Sequence, residues 1–270
     1  VEADPTSIDQ YLALRYSGGT STLFRGVNRL LPGQVLVADI NAGSWATSQY
    51  WEPWKRTGAA PAASPDEAAE RVRELLDDAV RLRLMSDVPF GAFLSGGLDS
   101  SGIVALMARH MDEPVETFSI RFSEEHRLDE GEHALAVSRH CGTRHHEVDC
   151  TADRVELLPH LLSHFDEPFA DPIIVPTHQV SELAAEHVKV ILSGEGADEL
   201  FGGYTRFVKD TQIRRLALLP EFVRTALAQV ASRVPSADAL QRALVLAGQS
   251  ASRRALTWIE AFDAGERRSM

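Results

Sequence analysis

Between residues 64 and 192 the hydrophobic positions switch repeatedly between helical and strand-like spacing. Ser64-Pro65-Asp66-Glu67 has the form of an N-terminal capping box, with a hydroxyl at the cap, proline in the first turn and a glutamate able to reach back. Ala68, Val72, Leu75, Leu76, Ala79, Val80 and Leu82 then recur every three or four positions, which predicts a helix to about Leu84. Residues 90–94 (Phe-Gly-Ala-Phe-Leu) read as a short apolar strand, 101–110 as a helix and 116–122 as a strand rich in β-branched and aromatic side chains. A helix over 130–140, a strand over 145–149 and helices around 155–165 and 177–187 follow, then a fourth strand over 188–192 (Val-Lys-Val-Ile-Leu). Such alternation predicts an α/β fold, a parallel sheet with helices on both faces. Beyond Tyr204 the pattern is helical. Residues 1–58 are irregular, with a short helix near 8–14 and a Pro32-Gly33 turn ahead of a strand at 35–38. The small residues and proline of 57–64 place a boundary there, giving regions 1–58 and 59–270.

Composition narrows the class of partner. The chain has 270 residues and a formal net charge of -12, which argues against a nucleic-acid surface because phosphate backbones are gripped by clustered Lys and Arg. An acidic protein can still bind a nucleotide through backbone amides and a divalent cation. Lysine occurs only at Lys55, Lys189 and Lys209. Cys141 and Cys150 lack metal-ligand spacing and read as two reduced thiols. No apolar run reaches the ~18 residues of a membrane span and no signal peptide is visible, so the expected location is cytoplasmic. A start at Val1 and an end in the polar run before Met270 read as cuts in a longer protein.

The strongest chemical signal lies between the first strand of the series and its helix: Leu94-Ser95-Gly96-Gly97-Leu98-Asp99-Ser100-Ser101. Two glycines allow a sharp turn and close backbone approach to an anion, and the following helix adds the positive end of its dipole. The hydroxyls of Ser95, Ser100 and Ser101 can donate to phosphate oxygens. Asp99 beside phosphates makes sense if Mg2+ lies between. The loop lacks the spacing and lysine of a Walker loop. It is similar to the pyrophosphate loop of the N-type ATP pyrophosphatases, which cut between the α and β phosphates.

A second loop, residues 193–204 (Ser-Gly-Glu-Gly-Ala-Asp-Glu-Leu-Phe-Gly-Gly-Tyr), follows the fourth strand with four glycines and three acids. Together the two loops closely resemble asparagine synthetases. The resemblance extends to Tyr11-Leu12, Phe24-Arg25-Gly26-Val27, Leu31-Pro32-Gly33, Tyr50-Trp51 and Asp166-Glu167-Pro168-Phe169-Ala170-Asp171-Pro172. It covers about residues 8–210, and more weakly the rest.

What the resemblance implies is the adenine nucleotide alpha hydrolase-like fold with strand order 3-2-1-4, so that both loops meet where the chain reverses direction across the sheet. It also implies that 1–58 is the connector from a preceding glutaminase domain and 59–270 the synthetase domain. ATP would be bound by Leu94, Ser95, Gly96, Gly97, Asp99, Ser100, Ser101, Ile120, Ser193 and Gly194, with Leu94 and Ile120 at the adenine. Mg2+ would be held by Asp99 and Asp198. Glu195 would face the reacting centre and position or deprotonate ammonia. In similar β-lactam-forming synthetases that position looks like tyrosine, so glutamate favours amide synthesis. The implied substrates are ATP, a carboxylate, foremost the aspartate side chain, and ammonia from a glutaminase domain; a homodimer is compatible.

Two family features have no counterpart. Position 1 is Val1 where the family has its glutamine-cleaving cysteine, and Cys141 and Cys150 stand in the wrong place. The family's later catalytic lysine is also missing, since Lys209 is too near the second loop. A natural-product amide ligase resembling lasso-peptide cyclases and a non-catalytic nucleotide-binding module are the alternatives. GMP and NAD synthetases would share the first loop and lack the second. His145 and His146 sit next to each other on a strand, so their rings point to opposite faces and joint metal ligation is not expected. His110, His140, His160 and His164 read as helix-surface residues.

Overall fold

The computed structural model describes residues 2–52, 55, 64–123, 129–150 and 156–270. In chain order the elements are α1 (Pro5–Leu14), β1 (Gln34–Asp39), β2 (Ser44–Gln49), α2 (Pro65–Arg83), β3 (Phe90–Phe93), α3 (Leu98–His110), β4 (Glu116–Arg121), α4 (Gly131–Cys141), β5 (Arg144–Asp149), α5 (Leu158–Leu162), α6 (Ile174–His187), β6 (Val190–Leu192), α7 (Ala197–Phe201), α8 (Thr205–Leu216), α9 (Glu221–Ala231), α10 (Asp238–Ala247), α11 (Ala251–Thr257) and α12 (Ala264–Ser269). Two compact units emerge: one of residues 50–166 and 171–197, the other of 1–49, 167–170 and 198–270. Most of the expected boundary at 57–64 lies outside the described residues.

The first unit carries a four-stranded sheet in the order β5-β4-β3-β6. All three pairings are parallel, with Ala92 opposite Thr117 and Leu192, and Phe118 opposite His146. This is the expected 3-2-1-4 order, with β3 and β6 as neighbours. Alternating side chains send successive residues of a strand to opposite faces. Ala92, Leu94 and Leu192 accordingly join Val80 of α2, Val104 and Met107 of α3 and Ala134 of α4 in one cluster. Phe93, Phe118, Val148 and Ile191 pack with Val180, Ala184 and Val188 on the α6 side. Helices thus cover both faces, and Ala92, Val104, Met107, Phe118 and Ala134 are fully buried.

Local sequence sets the element ends. Ser64 Oγ accepts from Glu67 N at 3.2 Å and starts α2 as the capping pattern predicts. Gly97 is the N-cap of α3, so that helix begins at Leu98 rather than 101 and takes Asp99 and Ser100 into its first turn. α6 begins at Ile174, three residues before its expected start; Pro176 falls in its first turn, where its missing N–H costs nothing. Val188 ends α6 with its N–H on Ala184 O, which shortens the fourth strand to 190–192.

In the second unit β1 pairs antiparallel with β2, from Gln34↔Gln49 to Asp39↔Ser44. The expected strand at 35–38 is present; its partner was not anticipated because Ser44–Gln49 carries no alternating apolar face and is exposed throughout. Glu167, within the acidic segment singled out above, accepts from Ser17 Oγ at 2.9 Å, Arg29 Nη2 at 2.6 Å and Leu23 N at 3.3 Å. Arg254, 7% exposed, donates to Asp210 Oδ1 at 2.8 Å and Gln249 O at 2.8 Å, joining α11 to α8. Among the described residues no helix is long and apolar enough to cross a membrane.

Phe118→Ala should lower stability by about 3–5 kcal/mol, because a fully buried ring would leave a cavity among well-packed neighbours. Urea unfolding followed by circular dichroism checks this; a loss below about 1 kcal/mol would mean that the α6 face is not packed as described.

Candidate active site

In a parallel sheet the turns after β3, β4 and β6 all leave by the same edge, and the neighbour relation of β3 and β6 puts the first and second loops side by side. The first loop is braced from within. Ser95 N donates to Ser100 Oγ at 3.2 Å, Gly97 N donates to Ser95 Oγ at 3.2 Å, and the two hydroxyls lie 2.9 Å apart. Ser100 Oγ also reaches Gly97 O at 3.3 Å. Two of the three hydroxyls proposed for phosphate contact therefore also shape the turn. Ser101 Oγ is different: it is buried and has no hydrogen-bond partner among the described residues. Such an orphan is uncommon, because leaving a buried hydroxyl unmade costs free energy.

Gly96 adopts φ +82°, a left-handed conformation open to glycine. A Cβ there would also lie 2.5 Å from Ala134 N and 2.6 Å from His133 Cβ in α4. The glycine is thus required twice over, once by its own backbone and once by its neighbour. The amides of Leu98, Asp99 and Ser100 precede the first intrahelical bond, Ser101 N to Gly97 O at 3.0 Å, and belong to the donor end of the helix. Asp99 is exposed in that first turn, and its carboxylate has no hydrogen bond or ion pair among the described residues.

The second loop touches the first through Gly194. A Cβ on Gly194 would stand 2.7 Å from Ser100 N, 2.9 Å from Asp99 C and 3.0 Å from Asp99 Cβ. Only a residue without a side chain lets these two backbones approach so closely. Glu195 N donates weakly to Ser193 Oγ at 3.4 Å, Ala197 N to Gly194 O at 3.4 Å, and Gly196 turns the chain with φ +90°. Glu195 and Ser193 are exposed. Leu94, 1% exposed, donates its N–H to Phe118 O at 2.8 Å, and Ile120, half-buried, lies near the same edge two residues further along β4. Leu94, Ser95, Gly96, Gly97, Asp99, Ser100, Ser101, Ile120, Ser193, Gly194 and Glu195 therefore share one edge of one sheet. Asp198 belongs to the other unit, where Gly203 N donates to its carbonyl at 3.1 Å and Gly203 leaves room for its carboxylate.

One feature of this edge escaped the sequence reading. Arg121, the last residue of β4, donates Nε to Asp129 Oδ1 at 2.9 Å and Nη2 to Asp129 Oδ2 at 2.8 Å. Phe122 N and Gly131 N add to Asp129 Oδ1, each at 3.3 Å. The guanidinium holds the Asp129 carboxyl well below its ordinary range and raises the Arg121 pKa in turn. A Cβ on Gly131 would collide with the Arg121 guanidinium, so the glycine at the start of α4 makes room for the clamp. An acid two residues ahead of that glycine was the available signal.

Against known proteins, the family model for asparagine synthase matches residues 71–269, which include both loops. The chain belongs to the asparagine synthase family. A putative glutamine-hydrolysing asparagine synthetase of Mycobacterium tuberculosis (strain ATCC 25618 / H37Rv) is 38% identical over 239 residues, 87% of this chain and 36% of the relative. One from Methanocaldococcus jannaschii is 35% identical, covering 85% of this chain and 43% of its own length. Asparagine synthetase 1 of Bacillus subtilis is 32% identical, covering 87% and 36%. The chain thus spans well under half the length of these relatives. Among solved structures, an NH3-dependent NAD synthetase from Campylobacter jejuni aligns at TM-score 0.35 and 16% identity, over 50% of this chain and 60% of that one. That likeness is too loose to argue from. The family assignment rests on the sequence match, and the fold on the strand order.

Gly96→Ala should destabilise the chain by about 2–4 kcal/mol, since it adds a strained φ to a backbone collision with Ala134. Thermal unfolding checks it; a neutral variant would mean the turn is not held against α4. The Asp129 clamp predicts a pH dependence. Its folded-state pKa is depressed, so its contribution is complete above the unfolded value of about 4 and lost as pH falls through the lower folded value. Urea midpoints at pH 6 and pH 3 should therefore fall further for the parent than for Asp129→Asn.

Proposed function

We propose that this chain is the synthetase part of a glutamine-dependent amide-forming enzyme, with 59–270 as the catalytic region and 1–58 as the connector from a glutaminase domain. It activates a carboxylate, foremost the aspartate side chain, with ATP. The observation that carries the reading is the approach of Gly194 to the Ser100 amide and Asp99, which joins the two characteristic loops of the family at one sheet edge.

In the reaction a carboxylate oxygen attacks the α-phosphorus of ATP and expels pyrophosphate. Ammonia then adds to the acyl carbon, a proton is lost and AMP departs, leaving the amide. The turn from Ser95 to Ser101 receives the phosphates: amides at the start of α3 and the Ser95 hydroxyl supply donors without a cationic side chain. The orphaned Ser101 hydroxyl would gain an acceptor there. Ile120, half-buried, supplies apolar surface for the base, whereas Leu94, its side chain buried in the core, meets the base through its backbone. Glu195, on the loop that crosses the first, takes the proton from ammonia or fixes its direction of attack.

Carboxylate oxygens suit a hard cation, and the unpartnered Asp99 in the first turn of α3 fits Mg2+. Asp99 would hold the ion, which when bound would neutralise charge on the pyrophosphate leaving group.

Calorimetric titration with ATP tests the site. Binding should require Mg2+ and weaken at least about tenfold in Asp99→Ala, some 1.4 kcal/mol or more. Mg2+-independent binding unaffected by that change would contradict the assignment. Glu195→Gln should keep nucleotide affinity within about twofold while lowering ammonia-dependent turnover by about 10²–10³. Turnover with the substrate consumed identified as aspartate separates an asparagine synthetase from a tailoring ligase of the same fold.

A further inference from the structure

The opposite, N-terminal edge of the sheet carries a cluster of metal-ligating side chains that the proposed reaction leaves unused. Glu116 opens β4 and His146 is the third residue of β5; the register pairs Glu116 with Arg144 and Phe118 with His146, so Glu116 and His146 are diagonal neighbours on one face. His187 ends α6, which packs across β4 and β5. A carboxylate oxygen of Glu116 and one ring nitrogen from each histidine all lie within 4.8 Å of one another.

The details favour coordination over a casual meeting of side chains. His146 Nε2 lies 2.7 Å from Glu116 Oε2, and the His146 and His187 rings are 4.0 Å apart at 30°. Phe118 lies beneath both rings, 5.2 Å from His146 and 5.8 Å from His187, and limits their tilt. Arg144 pairs with the other Glu116 oxygen, Oε1, which orients the carboxylate and leaves Oε2 toward the histidines. His145 is turned to the other face, toward Thr117 Oγ1 and Ser119 Oγ, as strand alternation requires.

We propose that Glu116, His146 and His187 form a binding site for Zn2+, with water completing a tetrahedron. Two imidazoles and one carboxylate suit zinc and its neighbours among first-row cations, whereas Mg2+ and Ca2+ prefer oxygen alone. Zinc-ligand bonds of about 2.0–2.2 Å place ligand atoms roughly 3.4 Å apart, so small ring rotations draw the three atoms inward. The role is a staple. His187 stands three residues ahead of β6, whose end delivers Ser193, Gly194 and Glu195, so the ion fixes the end of α6 to β4 and β5 and thereby the strand that positions the second loop.

The test uses untagged chain stripped with chelator and titrated with Zn2+ against a competing fluorescent indicator. Co2+ then serves as a spectroscopic probe. Expected are one zinc bound per chain at this site, a tetrahedral Co2+ spectrum, and a Tm rise of about 5 °C at a hundredfold excess over Kd. His187→Ala, a change at an exposed helix end, and Glu116→Gln should each weaken binding about tenfold or more. His160 of α5 and His164, just beyond its end, make ring contact and are the competing site, so His160→Ala should leave affinity unchanged. Binding lost in His160→Ala but kept in His187→Ala overturns the proposal, as does the absence of stoichiometric binding by a chain that circular dichroism shows to be folded.

Discussion

Everything proposed for the active edge depends on how near two backbones can come. The turn after β3 and the turn after β6 belong to adjacent parallel strands, whose axes are separated by the ordinary spacing of about 4.8 Å. A side chain between them would push the turns apart. Gly194 removes that obstacle, and its missing Cβ is the space that Ser100 N and the Asp99 backbone occupy. Gly96 does the same toward α4. Glycine here is a packing requirement between elements as much as a conformational one, and the price in chain entropy is offset by the edge it allows to form.

The proposed use of that edge would also reconcile an acidic protein with a polyanionic ligand. Neither loop contains Lys or Arg, and the chain as a whole carries a net charge of -12. The proposed donors are fixed backbone amides at the start of α3, which carry partial positive charge and need no desolvation of a cationic head group. Arg121 is spent on Asp129 rather than offered to a ligand, and so serves the shape of the edge.

Much of the fold was legible in the sequence because its helices and strands differ in period and are punctuated by strong end signals. The capping residues at 64–67 and the apolar recurrence of α2 were sufficient alone, whereas the strand order came from family resemblance, since nothing in a single strand names its neighbour. The β2 strand was missed because it buries nothing and therefore has no alternation to read. The two loops stood out because their glycines, hydroxyls and acids are contiguous in the sequence, and the structure sets them side by side after β3 and β6. The Glu116, His146 and His187 cluster was not, because its members are brought together from three elements and no spacing announces them. The adjacent rings of His145 and His146 do point to opposite faces, as strand alternation requires, and each finds its partners across the sheet.

The central claim is that the edge formed by β3 and β6 directs a carboxylate to the α-phosphorus. The most direct measurement is the fate of oxygen: incubate the chain with ATP, Mg2+, ammonia and aspartate labelled with 18O in its side-chain carboxylate, then follow the phosphorus products by NMR and mass spectrometry. The account predicts AMP carrying one 18O and unlabelled pyrophosphate. ADP with 18O in inorganic phosphate would place the attack at the γ-phosphorus and contradict it.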